Sequence, residues 1–130
     1  MDLGSKTLGL SVSDKTGTIA SGYDTLRYEN YDELINSLKE IINSLSIDEL
    51  VLGNPINLDN TKSDRSRETL KFKKLLEKEI NIKVNMQDER LSTIEAENIL
   101  INNNTSRRKR KKVIDKLAAV IILETYLNRK

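Results

Sequence analysis

The sequence predicts one α/β domain over residues 1–130, a mixed five-stranded sheet flanked by helices. Three observations predict it. Short alternating strands with tight turns fill the first 26 residues. A strong helical periodicity over 31–45 then passes straight into an apolar strand, and this helix–strand step recurs. A long apolar helix closes the chain. With 130 residues, 37% hydrophobic and 32% charged, the chain suits a single compact domain. A domain of about this size buries roughly 68–70% of its unfolded surface, enough for a core without covalent staples.

The first element is Met1-Asp2-Leu3-Gly4-Ser5-Lys6-Thr7-Leu8-Gly9. A carboxylate followed by two glycines and a lysine reads as a strand end and a tight turn where backbone can approach phosphate. An ordinary hairpin turn is the alternative. Leu8, Leu10 and Val12 alternate with Gly9, Ser11 and Ser13 as a half-buried strand. Asp14-Lys15-Thr16-Gly17 makes the next turn, and Thr18 to Leu26 is the third strand of a meander.

Tyr31, Leu34, Ile35, Leu38, Ile41, Ile42 and Leu45 share one helical face, with Asn30 and Glu33 resembling a capping box. Ile47 to Leu52 is a strand whose Leu50-Val51-Leu52 run is apolar on both faces, as in a covered sheet. The polar loop from Gly53 to Ser63 holds the only proline and follows a strand end, where α/β sheets place their sites. Its Asn, Thr and Lys side chains suit substrate phosphates. Asp64 to Ile80 is a second helix with Phe72, Leu75, Leu76 and Ile80 inward and a solvated mixed-charge outer face.

Ile82, Val84 and Met86 form a fifth strand that runs into Asp88-Glu89-Arg90-Leu91-Ser92-Thr93. Two acids ending an interior strand cost several kcal/mol to desolvate unless a cation or donors compensate. Arg90 as a structural ion-pair partner and a metal ion are the two options. Ser92 and Glu95 cap a helix over Thr93 to Ile101, and Asn102 to Thr105 form a flexible polar joint.

Six basic residues, Arg107, Arg108, Lys109, Arg110, Lys111 and Lys112, then lead into a buried apolar helix from Val113 to Leu127. Residues 101–130 hold nine basic residues and two acids, whereas residues 1–100 hold thirteen and eighteen; the balances of +7 and −5 give the net +2. Such a basic third on an acidic domain points to a polyanion partner, against the plainer reading of a solvated charge run. Asp115 lies just inside the apolar run, on one helical face with Ala118, Ala119 and Ile122. A carboxylate beside a phosphate-binding cluster makes sense if it holds a divalent cation, which reverses the local sign of charge. Favouring the first helical turn through the dipole is the simpler role.

Composition narrows the chemistry further. There are no cysteines and no histidines. Disulfides, thiol catalysis, zinc–thiolate sites, imidazole bases and Ser-His-Asp triads are therefore excluded. Carboxylates, lysines, hydroxyls and a hard metal ion remain. No run of about 20 apolar residues, lipidation signal or signal peptide is visible, so a cytoplasmic protein with no membrane partner is expected.

Four motifs together resemble one family. They are Asp2-x-Gly4-x-Lys6-x-x-Gly9, Gly53-x-Pro55 with Asn57, Asp88-Glu89-Arg90-Leu91-Ser92-Thr93, and Lys112-Val113-Ile114-Asp115-Lys116-x-Ala118-Ala119. In this order, on a βββαβαβα chain, they resemble the ribonuclease H-like fold and, within it, the bacterial YqgF/RuvX family of Holliday-junction-resolvase-like nucleases. The resemblance implies that Asp2, Glu89 and Asp115 are catalytic and metal-binding acids, with Asp88 as a substitute for Glu89. It also implies a cytoplasmic hydrolase linked to 5′-end maturation of pre-16S ribosomal RNA. The expected activity is phosphodiester hydrolysis with Mg²⁺ or Mn²⁺, by in-line attack of water between two ions roughly 3.5–4 Å apart. Lys6, Asn57, Arg90 and the run Arg107 to Lys112 would hold nucleic acid.

RNA is the expected partner for a monomer or weak homodimer, with branched DNA as the alternative. The rivals are a resolvase of four-way DNA junctions, which would need two sites and hence a dimer, and a non-catalytic ribosome assembly factor. An actin-like ATPase would need a second lobe that 130 residues do not supply. Family members carry several strand residues before the first aspartate, where this sequence has only Met1. The first strand is thus expected to be largely missing, with an apolar strand encoded upstream.

Overall fold

The computed structural model describes residues 1–4, 6–54, 64–88 and 107–129, with side chains from Ser66 onward in the second helix and from Lys116 onward in the last. The strands are β1 (Asp2–Leu3), β2 (Thr7–Ser13), β3 (Ala20–Arg27), β4 (Glu49–Asn54) and β5 (Lys83–Asp88). The helices are α1 (Tyr31–Leu45), α2 (Asp64–Glu79) and α3 (Arg107–Asn128). The architecture is mixed α/β, as expected, but the ladder pairs form two sheets rather than one of five strands. One is antiparallel in the order β1-β2-β3; the other is the parallel pair β4-β5. Met1 links them: its α-amino group donates to the Val51 carbonyl at 2.7 Å, and its own carbonyl accepts from the Gly53 amide at 2.9 Å. β1 is therefore flanked by β2 and β4, but is too short to register as a β4 partner.

Strand alternation sorts the side chains into two layers. Leu8, Leu10, Leu50, Leu52 and Val84 face α1 and α2, meeting Leu34, Leu38, Ile42, Phe72 and Leu76 in the main core. The α1 face is the one read from periodicity, and Asn30 caps it by accepting the Glu33 amide at 2.8 Å. Phe72 and Leu76 are fully buried, and the Tyr31 ring packs 5.1 Å from Phe72. On the outer face of α2, Lys73 pairs with Glu77, in keeping with a solvated surface.

Several boundaries move. β3 starts at Ala20 rather than Thr18, because Asp14 holds the preceding turn by accepting from the Thr16 hydroxyl and the Thr18 and Ile19 amides. β4 starts at Glu49 and runs on to Asn54, so Gly53 and Asn54 belong to the strand, not the loop. β5 pairs only with β4 and ends in an exposed Asp88, so the expected interior strand with a desolvated acid pair is not what forms among the described residues. The last helix starts at Arg107, taking the basic run into its first turns. Nor is it buried all round: Ala118, Ala119 and Ile122 are buried, while Leu117, Val120, Ile121 and Leu123 are only half-buried. The expected helix over 93–101 and the loop over 55–63 lie outside the described residues.

Candidate active site

The second layer carries the site. Gly9 and Ser11 point away from the α1–α2 core, and Asp2 is the cross-strand partner of Gly9. Partners in an antiparallel pair share a face, so Asp2 lies on the face that α3 covers. Gly9 puts no side chain beside it. The Asp2 residue is only 2% exposed.

α3 crosses this face from one sheet to the other. Lys116 lays its stem on Gly22 of β3, where a Cβ would stand 3.0 Å from Lys116 Cγ. The Ser11 hydroxyl donates to the Ala119 carbonyl at 2.8 Å. Tyr126 donates to Glu49 at the start of β4, and Glu49 also accepts from Asn85 at 2.6 Å. Arg129 finally donates to Gln87 of β5 at 2.6 Å. Ala118 and Ala119 have no bulk to hold the helix off the strands, as their pairing with Ile122 on one face foretold. Asp115 precedes this anchored stretch by one residue; its side chain lies outside the described set, as do those of Arg107 to Lys112.

The turn after Asp2 is held from below. Gly4 donates to the Thr7 carbonyl at 2.7 Å, closing a two-residue turn with Lys6 exposed at its tip. Tyr28 clamps that turn twice: its hydroxyl donates to the Gly4 carbonyl at 2.6 Å and its amide to the Lys6 carbonyl at 3.1 Å. Because β1 and β4 run parallel through Met1, and β4 and β5 through their ladder, this turn shares one end of the fold with Asn54 and Asp88. The Ser66 hydroxyl donates to Asn54 Oδ1 at 3.1 Å, fixing the start of α2 at that same end.

Of the predicted residues, the structure therefore gives Asp2 buried beneath α3 and Lys6 exposed on the turn. Asp88 shares the strand face of Val84 and Met86, opposite to Gln87, so the substitute acid points away from the layer that holds Asp2. Asn57, Glu89 and Arg90 lie outside the described residues, and no group of three metal-ligating side chains converges among those described. Sequence reasoning missed Gly22, Tyr28 and the Glu49–Asn85–Tyr126 cluster. Gly22 had a signal: a glycine inside a strand marks close approach of another element. The others had none, since each depends on a partner more than 20 residues away.

Three phenols of this frame hold their protons tightly. Burial first, then the Glu68 carboxylate, raises Tyr31 far above the ordinary tyrosine value, and burial also raises Tyr28. The hydrogen bond to Glu49 raises Tyr126. A raised folded value means the associated stability is fully present below pH 10, the unfolded value, and is lost as pH climbs through the folded ones. Ultraviolet titration should show three of the four tyrosines ionising later in the folded chain than in urea. Coincident curves would remove this coupling.

A sheet with a buried carboxylate on the face crossed by its last helix, beside a lysine-bearing glycine turn, defines a class of α/β proteins with a nucleic-acid-type site. The chain belongs to the family described as "RuvX: Holliday junction resolvase", which it matches over residues 1–129, so the resemblance read from the four motifs is borne out. It is 46% identical over 132 residues to a protein of Geobacillus sp. (strain WCH70), covering 100% of this chain and 96% of that protein. It is 45% identical over 130 residues to one of Bacillus subtilis (strain 168), covering 98% and 94%. A protein of Pediococcus pentosaceus is 46% identical over 131 residues, covering 98% and 90%. All three carry the name "Putative pre-16S rRNA nuclease". No described helix is long and apolar enough to cross a membrane.

Proposed function

We propose that the chain is a metal-dependent nuclease that hydrolyses phosphodiester bonds in 5′-end processing of pre-16S ribosomal RNA, in the cytoplasm. The observation that carries this reading is Asp2, a carboxylate almost wholly buried beneath α3 within a chain that matches the nuclease family end to end. Burying a carboxylate costs several kcal/mol unless charge or donors compensate. With no histidine or cysteine in the chain, a hard cation held by oxygen ligands is the metal that the side chains suit. In this reading Asp2, Glu89 and Asp115 hold Mg²⁺ or Mn²⁺, in a ribonuclease H-like sheet of order β3-β2-β1-β4-β5. When bound, the ion supplies positive charge to the oxygens of the scissile phosphate. Asp2 fixes one edge of the site through its strand, Lys6 reaches phosphate from the turn, and Asn57 and Arg90 bind from the same end.

The basic run supports the reading in a second way. Cations in the first turns of a helix oppose its dipole, and α3 carries no acid there to compensate. A stretch that costs helix stability is better explained by a polyanion than by folding. Neutralising Arg107 to Lys112 should weaken binding about equally across sequences. For every phosphate deprived of its cation, the salt slope should flatten by about 0.7 on single strands and 0.9 on B-form duplex. Thermal stability should stay level or rise. An unchanged slope would make the run a solubility feature.

The family description favours a second reading, a resolvase of four-way DNA junctions with the same acids. One experiment separates them: a pre-16S RNA fragment and a four-way DNA junction are offered to the same preparation with Mg²⁺, and cleavage is followed. RNA cutting is expected. Junction-only cutting would transfer the assignment to the second reading, and RNA binding without any cutting would make the protein an assembly factor.

A further inference from the structure

Ahead of Met1 the two sheets part. β2 continues through Ser11, Val12 and Ser13, past Gly9, the last residue with a β1 partner. β4 begins at Glu49, two residues before the Val51 carbonyl that takes the Met1 ammonium. Between these stretches lies a cavity of about 580 Å³, with Met1 at its inner end.

Its side walls are sheet edges. Backbone groups alternate direction along a strand. The Gly4 to Thr7 bond shows that Thr7 bonds toward β1, and the Asp14 amide, odd steps away, bonds toward β3 at Ile19. Ser11 and Ser13 thus turn their backbone groups toward the cavity. The Val51 amide points the same way as its carbonyl, into the cavity from the opposite wall. Among the described residues no strand stands opposite Ser11, Val12 or Ser13 on this side. A gap spanned at one end by β1 is one strand wide, so extended backbone is what fits it.

The floor and roof are apolar, with Leu38, Ile42 and Leu45 from α1 on one side and Leu123, Tyr126 and Leu127 from α3 on the other. A strand here would be buried on both faces, the setting that calls for consecutive aliphatic residues. The outer mouth is acidic, with Asp14, Asp48 and Glu49 against Lys15. Three hydrogen bonds from Thr16, Thr18 and Ile19 keep Asp14 ionised to lower pH than usual.

We propose that this slot is a strand-addition site for a separate extended peptide, running parallel to β4 and antiparallel to β2 toward Met1, with three consecutive aliphatic residues preceded by a basic one. The aliphatic residues sit opposite Ser13, Val12 and Ser11 in turn, alternately facing α3 and α1. The basic residue meets the acidic mouth. Main-chain bonds to both edges supply affinity, and the two apolar walls select the side chains.

The test uses the whole chain and an acetylated arginine-valine-isoleucine-valine peptide. Amide shifts by NMR should saturate and concentrate at Ser11, Ser13 and Val51, and the melting temperature should rise with peptide concentration. Proline in place of the last valine removes the N–H needed opposite Ser11 and should weaken binding at least tenfold. Fusing the same four residues ahead of Met1 should raise the melting temperature and abolish binding of the free peptide. Absent or scattered shifts, equal binding of the proline peptide, or a fused chain that still binds would overturn the proposal. So would a concentration-dependent dimer that the peptide dissociates, since the slot would then belong to a second copy.

Discussion

Asp2→Asn should remove metal-dependent cleavage while leaving the fold in place. Asparagine has the same shape as aspartate, and a neutral group is cheaper to bury beneath α3 than the carboxylate of a residue that is 2% exposed. Melting temperature should therefore hold or rise. Loss of partners that merely orient a metal ligand costs about 10–100-fold, so loss of a direct ligand should cost at least about a hundredfold. Asp115→Asn should behave alike, with RNA binding kept or tightened because a negative charge beside the phosphates is gone. The check is single-turnover cleavage with Mg²⁺ as the only metal, beside a binding titration on the same variants. Full cleavage by either variant would remove that acid from the site. Lost stability with normal cleavage would make Asp2 a structural residue.

The largest effect on stability is expected from Phe72→Ala. Phe72 is fully buried in the main core and packs against the Tyr31 ring, which in turn meets Tyr28 at 5.7 Å. Truncating such a phenylalanine costs about 3–5 kcal/mol, a large share of the roughly 5–15 kcal/mol that holds a domain together. The same cavity loosens the Tyr28 clamp on the turn after Asp2, so cleavage should fall at temperatures where the variant is still folded. Urea unfolding measures the first effect and cleavage at low temperature the second. Tyr23→Ala, at a side chain 41% exposed, serves as the control and should change stability by less than about 0.5 kcal/mol. Equal losses for the two would contradict the core described above.

The elements themselves were legible because each is written locally. The α1 stripe from Tyr31 to Leu45, its Asn30 cap, and the alternation of Leu8 and Leu10 are patterns within one helix or strand, and the structure repeats them. The buried face of α3 was legible too: Ala118, Ala119 and Ile122 fall at spacings of three and four. The family was legible through motifs that span the chain in a fixed order. What the sequence could not decide is set by contacts between distant residues. Periodicity does not say that Val120, Ile121 and Leu123 are only half-covered, because that depends on how far the sheet extends beneath them. Nor does it say that β5 has β4 as its one neighbour among the described residues, which leaves Asp88 exposed where an interior strand was expected. The link between the two sheets runs through Met1, whose backbone bonds to Val51 and Gly53 bridge 50 residues of sequence. A short strand reads the same whether it pairs on one side or two. Only the tertiary fold brings β2 and β4 to either side of β1, and so decides that Asp2 lies buried under α3.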